Sequence, residues 1–154
     1  MVERVDVLIL YASQTGNTAR LARAVLAGVQ SVLPEGGRLM LARDAGANDL
    51  LACRSLVLAT PENFGYMAGA VKDFFDRTYY PTREYVAGLP FAMVISAGND
   101  GMGAATAIRR IARGYAFREV LEAVMVRGAI CEQDLAQAFE LGATLQAGLD
   151  IGMF

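Results

Sequence analysis

Ser13-Gln14-Thr15-Gly16-Asn17-Thr18 stands directly after the apolar run Val5 to Tyr11 and directly before a long amphipathic stretch. Its residue types describe a turn suited to holding an anion. Ser13, Thr15 and Thr18 carry hydroxyls, Gln14 and Asn17 carry amides, and Gly16 lets the backbone come close to a ligand or adopt positive φ. A helix that begins here offers unpaired N–H donors and the positive end of its dipole. No Lys is present for the terminal phosphates of a nucleoside triphosphate, and the glycine spacing of a dinucleotide fingerprint is absent. What remains suits a single phosphate monoester held by neutral hydrogen bonds. An ordinary strand-to-helix turn, with Ser, Thr and Asn serving only as caps, accounts for the same residues without a ligand.

Outward from that turn the chain alternates short apolar runs with helical patterns. Val5 to Leu10 reads as a buried strand, and Asn17 to Val32 as a helix with Leu21, Val25, Leu26 and Val29 on one stripe, stopped by Pro34, Gly36 and Gly37. Arg38 to Leu41 is a second strand, followed by a brief helical segment near Asn48 to Leu51. Ser55 to Thr60 is a third strand and ends in the loop Pro61-Glu62-Asn63-Phe64-Gly65-Tyr66. A helix over Ala68 to Tyr79 buries Val71, Phe74, Phe75 and Thr78. Its outer face pairs Lys72 with Asp76 and Asp73 with Arg77, and Pro81 is expected to end it. Leu89 to Ser96 is a fourth strand with a small, polar exit loop, Ala97-Gly98-Asn99-Asp100-Gly101-Met102-Gly103. A helix over Ala104 to Tyr115, a fifth strand over Glu119 to Val126 and a last helix over Glu132 to Leu149 complete the chain.

This alternation predicts an α/β fold with a parallel sheet covered by helices on both faces. Five strands in a doubly wound sheet fit the order 2-1-3-4-5, and in that order a ligand sits beyond the carboxyl ends of the strands, at the switch between strands 1 and 3. The loops after strands 1, 3 and 4 are therefore expected to share one site.

Composition narrows the function classes. The chain has 154 residues, 55% hydrophobic and 19% charged, with a formal net charge of −2. One packed domain over residues 1–154 is the expectation, without the basic footprint of a nucleic-acid binder. No apolar run reaches the roughly 18 residues of a membrane span, and Glu3, Arg4 and Asp6 break up any signal-peptide core, so a cytoplasmic location is expected. Cys53 and Cys131 lack metal-ligand spacing and read as buried thiols. Histidine is absent, which removes both the commonest metal ligand and the commonest general base. No metal site and no catalytic side chain is assigned, and a bound cofactor is the natural source of any chemistry.

The three loops together resemble the flavodoxin-like family, whose fold is a three-layer sandwich around a five-stranded parallel sheet. More narrowly, Thr60-Pro61-Glu62-Asn63-Phe64-Gly65-Tyr66-Met67-Ala68-Gly69, continued by Lys72-Asp73-Phe74-Phe75-Asp76-Arg77, is similar to the second flavin loop and following helix of FMN-binding NAD(P)H-dependent flavin and quinone reductases. The resemblance implies that Ser13, Gln14, Thr15, Gly16, Asn17 and Thr18 hold the FMN 5′-phosphate. It implies that Thr60, Pro61, Glu62, Asn63, Phe64, Gly65 and Tyr66 line the isoalloxazine ring, with Phe64 or Tyr66 near a face. Ala97, Gly98, Asn99, Asp100 and Gly101 would close the pyrimidine side. Without a flavin, Phe64 and Tyr66 read as anchors plugging the sheet edge, and Asn99 and Asp100 as plain turn formers.

On that resemblance the chain is an FMN flavoprotein and oxidoreductase, passing electrons from NADH or NADPH through FMN to a quinone, a flavin or another small-molecule or protein acceptor. A non-enzymatic flavodoxin-type electron carrier that docks with partner proteins is the alternative, and a module of the same fold without flavin is a third reading. A homodimer is a family-level expectation. Arg109, Arg110 and Arg113 either attract the phosphates of a nicotinamide cofactor or form a solvated face. The third loop is shorter than in many such reductases.

Overall fold

A computed structural model describes residues 2–154. Its elements run β1 (Val5–Tyr11), α1 (Asn17–Val32), β2 (Gly37–Leu41), α2 (Ala47–Leu51), β3 (Cys53–Asn63), β4 (Tyr66–Met67), α3 (Gly69–Thr82), β5 (Pro90–Ala97), α4 (Met102–Tyr115), β6 (Arg118–Glu119), β7 (Val124–Arg127) and α5 (Glu132–Asp150). The main sheet is parallel, in the order β2-β1-β3-β5, with β6 and β7 both on the far side of β5. Successive residues of each strand face opposite layers. Leu8 and Leu10, Leu56 and Leu58, and Phe91, Met93 and Ile95 pack under α2, α3 and α4, whereas Val7, Ile9, Val57, Ala59, Ala92 and Val94 pack under α1 and α5. Each fully buried aliphatic side chain contributes roughly 1.5–3 kcal/mol of transfer free energy. This is the expected flavodoxin-like sandwich, with the switch point between β1 and β3.

Three departures from the sequence expectation have physical causes. The expected fifth strand is two short ones, β6 and β7, and with the added β4 the sheet has seven strands rather than five. Pro90 pairs with Arg118 while Val94 pairs with Val124, so two extra residues loop out of the ladder between β6 and β7. The exit of β3 is a tight hairpin to β4 rather than an open loop, with Glu62 opposite Met67 and Asn63 opposite Tyr66. Helix α3 continues through Pro81 to Thr82. Proline there removes one donor in the final turn, and the Arg83 amide still closes that turn on the Tyr79 carbonyl at 2.9 Å.

Under α3 and α4 lies an aromatic cluster of Phe74, Phe75, Tyr79, Tyr115 and Phe117. The buried Tyr115 hydroxyl donates to the Phe75 carbonyl at 2.6 Å and lies 2.9 Å from the Thr78 hydroxyl. Burial pushes its pKa up to about 12. The cluster anchors the two helices whose N-termini flank the candidate site.

Candidate functional site

The first loop spends few of its donors on itself. Gly16 adopts φ 97°, and the Ser13 hydroxyl reaches past it to accept the amides of Gly16 at 3.2 Å and Ala19 at 3.3 Å. Ser13 is therefore the capping residue. The amides of Thr15, Asn17 and Thr18 find no acceptor among the described residues, and Gln14 and Thr15 are exposed. Thr18 is 2% exposed and its hydroxyl makes no hydrogen bond among the described residues. Capping thus accounts for one side chain of the six. Three backbone donors at a helix N-terminus, together with two threonine hydroxyls, are the donor set a phosphate monoester requires.

The hairpin is built differently. Phe64 at φ 51° and Gly65 at φ 70° form its two-residue turn, in which both central residues need positive φ. The Thr60 hydroxyl, fully buried, accepts the Ala68 amide at 3.0 Å and donates to the Pro61 carbonyl at 2.8 Å, closing the hairpin's base. The Glu62 carboxylate accepts the Ala104 amide at 3.1 Å and so caps α4. A side chain at Gly103 would collide with the Gly65 carbonyl, so the turn lies directly on the α4 backbone. The sequence pattern does not reveal this clamp, because Glu62 and Ala104 are 42 residues apart.

Beyond β5, the Ala97 carbonyl accepts the Gly128 amide at 2.8 Å, while Gly98, Asn99 and Asp100 are exposed. The Asp100 carboxylate accepts the Met102 amide at 2.9 Å, which is turn and cap chemistry, and Gly101 adopts φ 74°. All three loops lie on the carboxyl edge of the sheet, with the hairpin clamped to the N-terminus of α4 on one flank. On the other flank Ser13, Gln14, Pro61 and Asn63 share a cavity of about 190 Å³ with Ala68, Gly69 and the Leu41–Arg43 segment. That third wall was absent from the sequence reading, although the strand order 2-1-3 implies it, since the exit of β2 lies on the same edge. Arg77 holds this segment. Besides Asp73 at 2.7 Å, it donates to the carbonyls of Ala45 at 2.9 Å and Ala42 at 3.2 Å.

Some residues lie apart from these walls. The Phe64 ring is fully exposed at the hairpin tip, and Tyr66, 40% exposed, faces α4. Arg109 is bidentate to Glu119 at 2.7 and 2.9 Å, which leaves Arg110 and Arg113 of the arginine group without ion pairs among the described residues. Cys53 is partly buried, and burial pushes its thiol up to about 12, far from a nucleophile's range. Cys131 is exposed rather than buried and sits at the N-terminus of α5. A groove of about 640 Å³ between Leu121–Met125 and α5 shares no residue with the three loops.

Residues 42–130, more than half of the chain and including the hairpin, α3, β5 and α4, match the family model described as NADPH-dependent FMN reductase. The chain belongs to that family. A flavodoxin of Aquifex aeolicus is 34% identical over 70 residues, which are 46% of this chain and 38% of that protein's length. Among solved structures, a flavodoxin from the domain Archaea superposes with a TM-score of 0.83 at 18% identity, covering 95% of this chain and 99% of that one. Rubredoxin oxygen:oxidoreductase from Desulfovibrio gigas gives 0.80 at 15% identity, covering 97% of this chain and 37% of that one. The two superpositions establish the fold. For the family's FMN, the first loop offers hydrogen-bond donors of the kind a phosphate needs, and the hairpin and the Gly98–Gly101 loop bring Gly65, Gly98 and Gly101 to the same edge. The residues fit the group. Among the described residues no helix is long and apolar enough to cross a membrane.

Proposed function

We propose that the chain is an FMN-dependent oxidoreductase that accepts electrons from NADPH or NADH and delivers them to a quinone, a flavin or another acceptor. The observation that carries this reading is the set of unpaired amides at Thr15, Asn17 and Thr18, opening α1 at the strand 1 to strand 3 switch point. In this reading one domain binds one FMN. Ser13 to Thr18 hold its 5′-phosphate, with Ser13 shaping the loop and the amides and threonine hydroxyls donating. Pro61, Asn63 and Gly65 present backbone to the ring from one side, and Gly98 to Gly101 from the other. Glu62 and Thr60 act as positioning residues that hold the hairpin still. When bound, the flavin supplies the redox chemistry, and the chain supplies binding, orientation and exclusion of water.

The test is anaerobic mixing of FMN-loaded protein with each nicotinamide nucleotide. Loss of the oxidised flavin absorbance with NADPH or NADH is the expected result. The relative from Aquifex aeolicus, named as a flavodoxin, favours a second reading as an electron carrier without its own nicotinamide reaction. Reduction by light or dithionite, but by neither nucleotide, would select the carrier. A preparation that neither retains FMN nor quenches its fluorescence would dismiss both.

A further inference from the structure

The sheet has an edge that the candidate site does not use. β7 pairs with β5 and with no other strand among the described residues. The Gly128 amide points inward to the Ala97 carbonyl at 2.8 Å, and because a strand alternates, the Met125 and Arg127 amides point outward. Edge strands are commonly blunted by Lys, Pro or a covering segment, and Val124-Met125-Val126-Arg127 contains neither Lys nor Pro. Beside it, against α5, runs the groove of about 640 Å³. Leu121, Val124, Ala136 and Leu141 supply its apolar lining. One turn beyond Thr144 the chain fills the next notch on α5 itself, for the Phe154 ring lies where a side chain at Gly148 would be.

The charge of the groove has one sign. Glu122 and Glu140 line it, both are exposed, and neither forms an ion pair among the described residues. No Lys or Arg lines it, and α5 adds Glu132, Asp134 and Asp150 with no basic residue over its 19 positions. A second copy paired edge to edge would bring these carboxylates towards their own equivalents. The charge therefore favours a different, basic occupant.

We propose that this groove docks an extended segment of a partner protein, added to β7 as a further strand, whose groove-facing positions are apolar and flanked by Lys or Arg. Main-chain pairing with the outward groups of Met125 and Arg127 supplies affinity, and the groove-facing side chains supply specificity. The apolar ones sit against Leu121, Val124 and Leu141, and the long basic ones lay their stems along the lining and reach Glu122 and Glu140. The groove shares no residue with the three loops, so this docking is independent of the flavin reading.

The test titrates the full chain, with and without FMN, with the peptide acetyl-Lys-Thr-Val-Thr-Leu-Thr-Lys-amide and follows backbone amide shifts by NMR. Saturable shifts are expected over residues 121–128 and 133–144 in both states. The same peptide with Glu in place of both Lys should bind about tenfold more weakly at low ionic strength, and E122K/E140K should reverse that preference. Arg127→Pro, which puts proline at an outward amide, should weaken binding about tenfold while the core amide shifts stay in place. Should that variant fail to fold, the peptide N-methylated at each Thr, Val and Leu makes the same test on the wild-type chain, and no saturable shift is expected with it. Equal affinity for the Lys and Glu peptides, or undiminished binding of the N-methylated one, would overturn the proposal. So would shifts confined to Ser13–Thr18 and the hairpin. Shifts in this groove that grow with protein concentration in the absence of peptide would assign it to a second copy and overturn the proposal as well.

Discussion

Ser13–Thr18 and Thr60–Met67 both leave a central strand at the carboxyl edge of the sheet, both lead into a helix, and both are rich in polar side chains. In the first, one hydroxyl does the capping and the Thr15, Asn17 and Thr18 amides have no acceptor among the described residues. In the second, the Thr60 hydroxyl and the Glu62 carboxylate are both committed to neighbouring backbone groups. The first segment keeps donors available, and the second is fixed in place. A polar residue at a site edge therefore has to be judged by whether its hydrogen bonds are already used.

Substitutions should separate the two behaviours. The largest effect is expected at Gly103→Val, which drives a branched side chain into the Gly65 backbone. Overpacking of this kind costs about 3 kcal/mol or more, and both Tm and FMN affinity should fall. Thr60→Val removes the only hydroxyl within reach of the buried Ala68 amide among the described residues and should cost about 1–3 kcal/mol in denaturant unfolding. If Thr60→Val weakened FMN binding without lowering stability, the contrast between the segments would be lost. Ser13→Ala orphans the Gly16 and Ala19 amides, with a stability loss of about 1 kcal/mol.

Thr18→Val should give the reverse profile. Because its hydroxyl has no partner among the described residues, Tm should hold within about 0.5 kcal/mol equivalent while FMN dissociation rises several-fold in a fluorescence titration. A large Tm drop would show that the hydroxyl is structural. A shift of opposite sign is expected at Phe64→Asn, which suits positive φ far better. It should raise stability by about 1 kcal/mol, measured by thermal and denaturant melts, and leave the first loop untouched.

Much of this fold can be read without coordinates because its determinants are local and periodic. The run Val5 to Leu10, broken by Asp6, and the stripe Leu21, Val25, Leu26 and Val29 each mark an element within one window of sequence, and Val7 to Leu10, Leu21, Val25 and Val29 lie fully buried while Leu26 is only partly so. The strand order follows because crossover chirality leaves few alternatives. The split of the last strand was not readable, because the two looped-out residues between β6 and β7 are defined only by register against β5. Nor did Pro81 act as the stop its chemistry suggests, since the Arg83 amide still reaches Tyr79 and closes the turn around it.

For the site, the sequence alone determined that Ser13 to Thr18 form a turn rich in hydroxyl and amide groups at the head of a helix and that three loops converge on one edge. Those properties follow from residue type, the missing Lys and strand order. Only the tertiary structure decided which polar groups remain available. Ser13 caps, Thr60 and Glu62 hold the hairpin, Asp100 caps α4, and Phe64 stands in solvent. The physical reason is that hydrogen bonds such as Glu62 to Ala104 join residues distant in sequence, and a side chain's availability depends on which of those partners the fold brings to it.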